Sequence, residues 1–233
     1  EFLKTDCEVV YLLVNYTVIF DAEKKLIKLN KEYEKTRHNV AWQFEDSLPF
    51  AAKLSWQKKF KGNFAVVEPE LLAGWCAESG ILSKKDGSAV IVPPEMEKIY
   101  FLKPETYMNL SGESIIEICG FYKIKPEETL VVHDELELPL GTVSLKWSGG
   151  LGGHNGLRST RQVFGTADFW RLRFGLTKPV GRDIADYVLG KFTGDEQIVL
   201  SQVFPQAAVL LAKVLFSKDP AKFIQEWGKK KLV

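Results

Sequence analysis

The strongest constraint on the fold is the short, nearly continuous apolar run Thr129–His133. Runs of this kind are typical of a strand that is buried on both faces of a sheet. Helices must then cover both faces, and strand-like and helix-like segments do alternate along the chain. The sequence therefore predicts an α/β fold with a single domain, built on a twisted, mostly parallel or mixed sheet with helices on both faces.

Polar residues follow this run directly, at His133, Asp134 and Glu135. The carboxyl ends of strands in open α/β sheets are where ligands usually bind. The remaining elements are predicted from apolar periodicity and turn residues. They are strands at Val9–Phe20, Phe64–Val67, Ala89–Val92, Lys98–Leu102 and Trp170–Leu176, and helices at Asn39–Lys53, Glu113–Tyr122 (capped by Ser111), Gly156–Phe164, Gln197–Phe216 and Ala221–Lys230.

Composition indicates a globular chain of 233 residues, 45% of them hydrophobic, with 31 basic and 30 acidic side chains. The formal charge of +1 does not mark a nucleic-acid-binding protein, so any RNA affinity must come from local clustering of charge. Cys7, Cys76 and Cys119 form no zinc motif or disulfide framework, which favours reduced thiols in a cytosolic protein. The apolar stretch at 9–20 is too short to span a bilayer.

Glycine dominates the segment Gly149–Gly156, where five glycines surround His154 and Asn155. Such a cluster marks a tight turn, a flexible loop or a close approach of the backbone to a ligand. Three other segments also set polar residues beside turn or strand-end residues. These are Thr36-Arg-His-Asn39, Thr106-Tyr-Met-Asn-Leu-Ser-Gly112 and His133-Asp-Glu-Leu-Glu-Leu-Pro139.

These four segments, in this order, resemble the bacterial peptidyl-tRNA hydrolase family. The similarity extends from about Lys31 to the C-terminus, with an interruption between residues 68 and 97. The resemblance implies an enzyme of translation and ribosome rescue, which hydrolyses the ester bond between peptide and tRNA in peptidyl-tRNA. It further implies a cytoplasmic monomer that needs no cofactor, no metal and no membrane.

The resemblance also implies roles for three catalytic residues. His38 matches the general base that activates water, and neutral imidazole titrates close to working pH. Asp134 matches the carboxylate that orients this histidine, and Asn109 matches the amide that stabilises the oxyanion. On chemistry alone, each residue could equally be structural: a buried histidine, a solvated acid at a strand end, or an asparagine in a turn.

Further residues match substrate-binding positions of the family. Met108 is expected to form an apolar wall of the cleft, and the loop around His154 is expected to gate it. Lys146 and Arg173 match the basic pair that binds the 5′ phosphate of tRNA, whereas Ser144 stands where the family more often has a lysine. The other predicted substrate-binding residues are Asn30, Tyr33 and Asn155.

The beginning of the chain departs from the family, because the glycine-rich turn that precedes the Lys31–Tyr33 segment is absent. Asn30 is the favoured candidate for the site asparagine of this turn, and Asn15 is the alternative. Residues 1–25 are interpreted as an N-terminal extension, and residues 26–233 as the hydrolase-like domain. Residues 68–97 are interpreted as a surface insertion within that domain.

The altered turn leaves a second class of function open, a catalytically weakened hydrolase-like protein that binds RNA. A third reading, a nucleotide-binding protein whose glycine loop holds phosphates, is less favoured because the sequence contains no phosphate-loop Lys-Ser/Thr pair.

Overall fold

The computed structural model describes residues 11–15, 35–81, 98–181 and 183–233. This part of the chain contains eight strands in one sheet, in the order β2-β3-β4-β1-β5-β7-β6-β8. The strands are β1 (Tyr11–Asn15), β2 (Gln57–Lys59), β3 (Gly62–Val67), β4 (Ile99–Pro104), β5 (Thr129–Glu135), β6 (Thr142–Trp147), β7 (Trp170–Gly175) and β8 (Lys230–Lys231).

The sheet is mixed, as the sequence predicts. Strand β1 pairs in parallel with β4 and β5, and β5 pairs in parallel with β7. The four outer pairings are antiparallel. The predicted central strand is therefore confirmed as β5, whose carboxyl end carries His133, Asp134 and Glu135.

Seven α-helices surround the sheet in the described ranges. They are α1 (Val40–Asp46), α2 (Pro69–Glu78), α3 (Ser111–Tyr122), α4 (Asn155–Phe164), α5 (Ile184–Leu189), α6 (Gly194–Leu215) and α7 (Ile224–Trp227). Because successive strand residues face opposite sides, β5 contributes Val132 to one core and Val131 to the other. The first core also holds α1, α2 and α6, and the second holds α3 and α4. Helices on both faces are thus confirmed.

Helix α6 has the length and hydropathy to cross a membrane. Half of the residues in the most apolar 18-residue stretch of this helix are nevertheless buried inside the domain, and they include Leu200, Val203 and Leu210. A core helix of a globular domain shows the same composition, because it packs an apolar face on the sheet.

The interpretation of residues 68–97 as a surface insertion is wrong for its first part. Residues 69–78 form α2, and Leu72 and Cys76 are fully buried in the core beside α1. These two residues are four positions apart and so lie on one face of the helix. The strand predicted at 89–92 lies outside the described residues.

Two other predictions need correction. Ser111 does not cap α3: the helix begins at Ser111, whose hydroxyl donates to Met108 O at 2.9 Å. Instead, Ser159 Oγ in α4 accepts a hydrogen bond from Gly112 N at 2.9 Å. The helix predicted at 221–230 is short, because its end leaves the helical path and pairs with β6 as β8.

The predicted strand at 9–20 is confirmed for Tyr11–Asn15, and its other residues lie outside the described ranges. Strand β1 lies between β4 and β5. This part of residues 1–25 therefore belongs to the sheet of the domain.

Candidate active site

His38 and Asp134 are brought together at the carboxyl end of β5. His38 lies in a 3₁₀ turn that leads into α1, and Asp134 is the penultimate residue of β5. The distance from His38 Nδ1 to Asp134 Oδ1 is 2.8 Å. The Asp134 side chain is buried, whereas the His38 side chain is 17% exposed and lines a cavity. A carboxylate on Nδ1 leaves Nε2 available to a ligand in this cavity.

His154 binds the same carboxylate oxygen. It is the N-cap of α4, and its Nδ1 accepts a hydrogen bond of 3.4 Å from Leu157 N. Nδ1 must then be unprotonated, so Nε2 carries the hydrogen and donates to Asp134 Oδ1 at 3.1 Å. Residue types and spacing alone do not reveal this contact, because nothing in the glycine-rich segment indicates that His154 turns inward.

The charges of this cluster shift two pKa values in opposite directions. Burial alone would raise the pKa of Asp134, but His38 and His154 outweigh it and hold this pKa well below its usual value. Burial would likewise lower the pKa of His38, but the carboxylate of Asp134 raises it above 6.5. Asp134 is therefore ionised across the physiological range.

His133 belongs to the same segment but has a different environment. Its Nδ1 lies 2.6 Å from Asp134 O. Burial, followed by the neighbouring imidazole of His154, lowers its pKa well below 6.5, so His133 is neutral. Its Nε2 is buried, with no hydrogen-bond partner among the described residues.

The cavity has a volume of about 500 Å³. The sequence-predicted residues that it brings together are His38, Asp134, Asn109, Met108, His154 and Asn155. Helix α5 forms another wall with Ile184, Val188 and Leu189, which no motif in the sequence indicates. Asn30 and Tyr33 lie outside the described residues. Asn15 ends β1, with its Cα paired to Val132, two positions before Asp134.

Arg37 holds the segment that carries His38. Its guanidinium forms a two-point ion pair with Glu196 in α6, at 2.6 and 3.3 Å, and lies 4.4 Å from the centre of the Tyr187 ring in α5. Its backbone N–H donates to Gly190 O at 3.0 Å. Forked contacts of this kind fix a guanidinium in one geometry, so Arg37 connects the His38 turn to α5 and α6.

A separate basic cluster lies on the outer strands β6 and β7. Lys146 pairs in register with Arg171, and Ser144 pairs with Arg173. Arg173 donates to Glu135 Oε2 at 3.2 Å and to Ser144 Oγ at 2.6 Å. Burial, followed by the charges of Arg173 and Arg171, lowers the pKa of Lys146.

Arg171 connects this cluster to the glycine-rich loop. Its side chain is fully buried and donates to Gly150 O at 2.7 Å and to Gly149 O at 3.1 Å. Gly149 has a φ of +91° and packs against the end of Lys146, so a side chain there would be both strained and crowded. The loop is thus held at its start by Arg171, although its composition alone suggests free movement.

His38, Asp134 and His154 could also provide metal ligands, since one donor atom from each lies within 4.8 Å of the others. In this cluster, His38 Nδ1 and His154 Nε2 already take part in hydrogen bonds to Asp134 Oδ1. A metal ion would therefore compete with these hydrogen bonds, which already satisfy the carboxylate oxygen.

Comparison with known proteins gives a consistent result. The sequence model of a family described as peptidyl-tRNA hydrolase matches residues 28–232. The chain is 40% identical to the peptidyl-tRNA hydrolase of Treponema pallidum, covering 87% of this chain and 91% of the relative. It is 39% identical to that of Desulfitobacterium hafniense, with 81% and 88% covered.

Among solved structures, the peptidyl-tRNA hydrolase of Acinetobacter baumannii superposes with a TM-score of 0.71 at 26% identity, covering 97% of each chain. The chain therefore belongs to the peptidyl-tRNA hydrolase family.

Proposed function

We propose that the protein hydrolyses the ester bond between the peptide and the terminal ribose of peptidyl-tRNA, with His38 as the general base. The observation that carries this proposal is the hydrogen bond of 2.8 Å between His38 Nδ1 and Asp134 Oδ1 at the wall of the cavity. It fixes the tautomer in which Nε2 is unprotonated and can accept a proton from water.

In the proposed reaction, a water molecule attacks the ester carbonyl carbon while His38 Nε2 takes one of its protons. Asp134 stabilises the imidazolium that forms, and the amide of Asn109 donates to the oxygen on which negative charge develops. The tetrahedral intermediate then collapses and breaks the bond to the ribose oxygen. His38 returns the proton to this oxygen, which yields free tRNA and a peptide with a free carboxylate.

We assign the cavity walls to the peptide and the last nucleotide of the tRNA. Met108 and Leu189 supply apolar surface, while Asn155 supplies an amide at the start of α4. Lys146 and Arg173 are assigned to the 5′ phosphate of the tRNA, because a positive cluster on one sheet face suits a terminal phosphate.

Asn30 and Tyr33 complete the proposed substrate-binding set, and the matched range 28–232 includes both. Asn15 is the alternative to Asn30, supported by the position of β1 beside β5. Replacing each asparagine by alanine separates the two. We expect Asn30→Ala to lower kcat by roughly a hundredfold, as loss of a positioned donor does, and Asn15→Ala to have no effect. The reverse result would assign the role to Asn15.

The proposed function also includes a cytoplasmic location, action as a monomer and independence of metal. The alternative of a weakened RNA-binding protein is not favoured, because His38, Asp134 and Asn109 all border the cavity.

Release of N-acetyl-amino acid from N-acetyl-aminoacyl-tRNA, measured with a chelator present, tests the proposal directly. We expect turnover by the purified protein and a fall of roughly 10²–10⁴-fold in His38→Ala, with binding of uncleaved substrate retained. Loss of turnover on chelation would contradict metal independence. Near-normal turnover in His38→Ala would contradict the assignment of the base.

A further inference from the structure

We propose that Lys229, in the C-terminal segment, is a third cation of the cluster formed by Lys146 and Arg173. It would contact the 5′-terminal phosphate of the tRNA acceptor stem. This inference rests on the proposed function and adds to it a binding residue that lies 73 positions beyond Gly156, the last residue of the four motifs.

The pairing of β8 with β6 places Lys229 beside the cluster. Thr142 pairs with Lys231, and Val143 pairs with Lys230. Continuing this antiparallel register by one residue sets Lys229 opposite Ser144. The backbone is fastened at the same point, because Ser144 Oγ donates to Gly228 O.

Lys229 consequently shares a sheet face with the proposed phosphate ligands. Residues directly opposite each other on antiparallel strands point to the same face, as do alternate residues of one strand. Ser144 is opposite Arg173, and Lys146 is two positions further along β6. Lys229, which directly precedes β8, thus lies in one row with Ser144 of β6 and Arg173 of β7, and Lys146 lies in the next row.

The charges of this face are not balanced within the described residues. Arg173 is paired with Glu135 at 3.2 Å. Lys146 and Lys229 form no ion pair with any residue in the described ranges. The charge of Lys229 is also among the causes of the lowered pKa of Lys146, after burial and the two arginines. Two unpaired ammonium groups suit a terminal phosphate, which carries nearly two negative charges at neutral pH.

Ser144 explains why a residue from another segment is needed. Where the family more often has a lysine, this chain has a fully buried serine that bridges Arg173 and Gly228. Lys229 restores a positive charge to this position from the neighbouring segment, with an exposed side chain.

The test compares binding of two RNA stem-loops with a paired 5′ end, one with a 5′ phosphate and one with a 5′ hydroxyl. We expect Lys229→Ala to weaken binding of the phosphorylated stem by roughly fivefold, near the upper limit for an exposed ion pair. The slope of the logarithm of the binding constant against the logarithm of the salt concentration should become less negative by about 0.9. Binding of the hydroxyl stem should not change, and Lys229→Arg should behave as the wild type.

Lys230→Ala is the matched control, since Lys230 lies in the same segment but pairs with Val143, so it points to the opposite sheet face. It should bind both stems normally. Equal weakening on both stems in Lys229→Ala, or none on either, would overturn the proposal. Because binding is measured without turnover, a wild-type protein that binds but does not cleave would contradict the proposed function alone.

Discussion

His38 and His154 donate to one and the same oxygen atom, Asp134 Oδ1, at 2.8 and 3.1 Å, with their ring centres 5.2 Å apart. His38 comes from the turn before α1, whereas His154 comes from the start of α4. The carboxylate is therefore held from both sides before any substrate binds. This arrangement makes His154 a positioning residue for the pair that we propose to be catalytic.

Replacing His154 by alanine removes one of the two donors from Asp134. The carboxylate then attracts the proton of His38 more strongly, so the pKa of His38 should rise further. We expect kcat to fall about tenfold, within the range for one hydrogen bond to a charged group, and the acid limb of the pH–rate profile to move to higher pH. His154→Gln, whose amide nitrogen can replace Nε2 as donor, should restore much of the rate. An unchanged acid limb in His154→Ala would show that His154 does not act through Asp134.

Asp134→Asn should move the acid limb in the opposite direction. The base is active when His38 is neutral, so the rate rises as pH increases through the raised pKa of His38. Removing the carboxylate removes the charge that raises this pKa, while the burial that lowers it remains. We expect a midpoint at lower pH and a fall in kcat with little change in KM, because the lost interaction acts mainly in the transition state. The kcat profile between pH 5 and 9 measures this, and an unmoved midpoint would exclude Asp134 as the orienting acid.

Sequence patterns predict the centre of this site better than its surroundings. The apolar run of β5 and its polar end locate Asp134, and the four motifs locate His38, Asn109 and Asn155. Neither pattern reveals α5 as a cavity wall or Arg171 as a buried residue. The alternation in β7 indicates a polar face, but only the folded loop at Gly149–Gly150 shows that this face is covered.

The errors have a common physical origin, which is packing between segments that are distant in sequence. Ser111 follows a turn and resembles a cap, yet the amide of Gly112 is satisfied by Ser159 from α4. The segment 221–230 has helical periodicity, yet the edge of β6 offers backbone hydrogen bonds to Lys230–Lys231. Local propensity is a weak prior where such tertiary contacts compete with it.

The basic cluster of Lys146 and Arg173, which we assign to the 5′ phosphate, can be tested with one variant that removes a charge and another that changes only the geometry. Lys146→Ala removes a positive charge, so it should weaken binding of a phosphorylated stem and reduce the salt slope by about 0.9. Ser144→Ala keeps every charge but removes the acceptor of Arg173, so it should weaken binding with an unchanged slope. Titrations at several salt concentrations distinguish the two. Identical slopes in wild type and Lys146→Ala would place the phosphate elsewhere.

Arg37 should contribute to stability as well as to the site. Arg37→Met leaves Glu196 without its partner in a largely buried position, which should lower the free energy of unfolding by on the order of 3 kcal/mol. Lys178→Met is the control, because it breaks an exposed pair with Glu137 and should change stability by less than about 1 kcal/mol. Urea unfolding measures both. Equal effects would show that the Arg37 pair is no stronger than a surface one.

The contact between Gly112 and Ser159 has a mechanical consequence for the cleft. A Cβ at Gly112 would lie 2.4 Å from Ser159 O, so the backbones of α3 and α4 touch there without an intervening side chain. Met108 and Asn109 lead into α3, and His154 and Asn155 begin α4. These two sides of the cleft are therefore joined by direct backbone packing and should move together as one unit. Any widening of the cleft for a bulky peptide would then have to come from its other walls, such as the one that α5 forms.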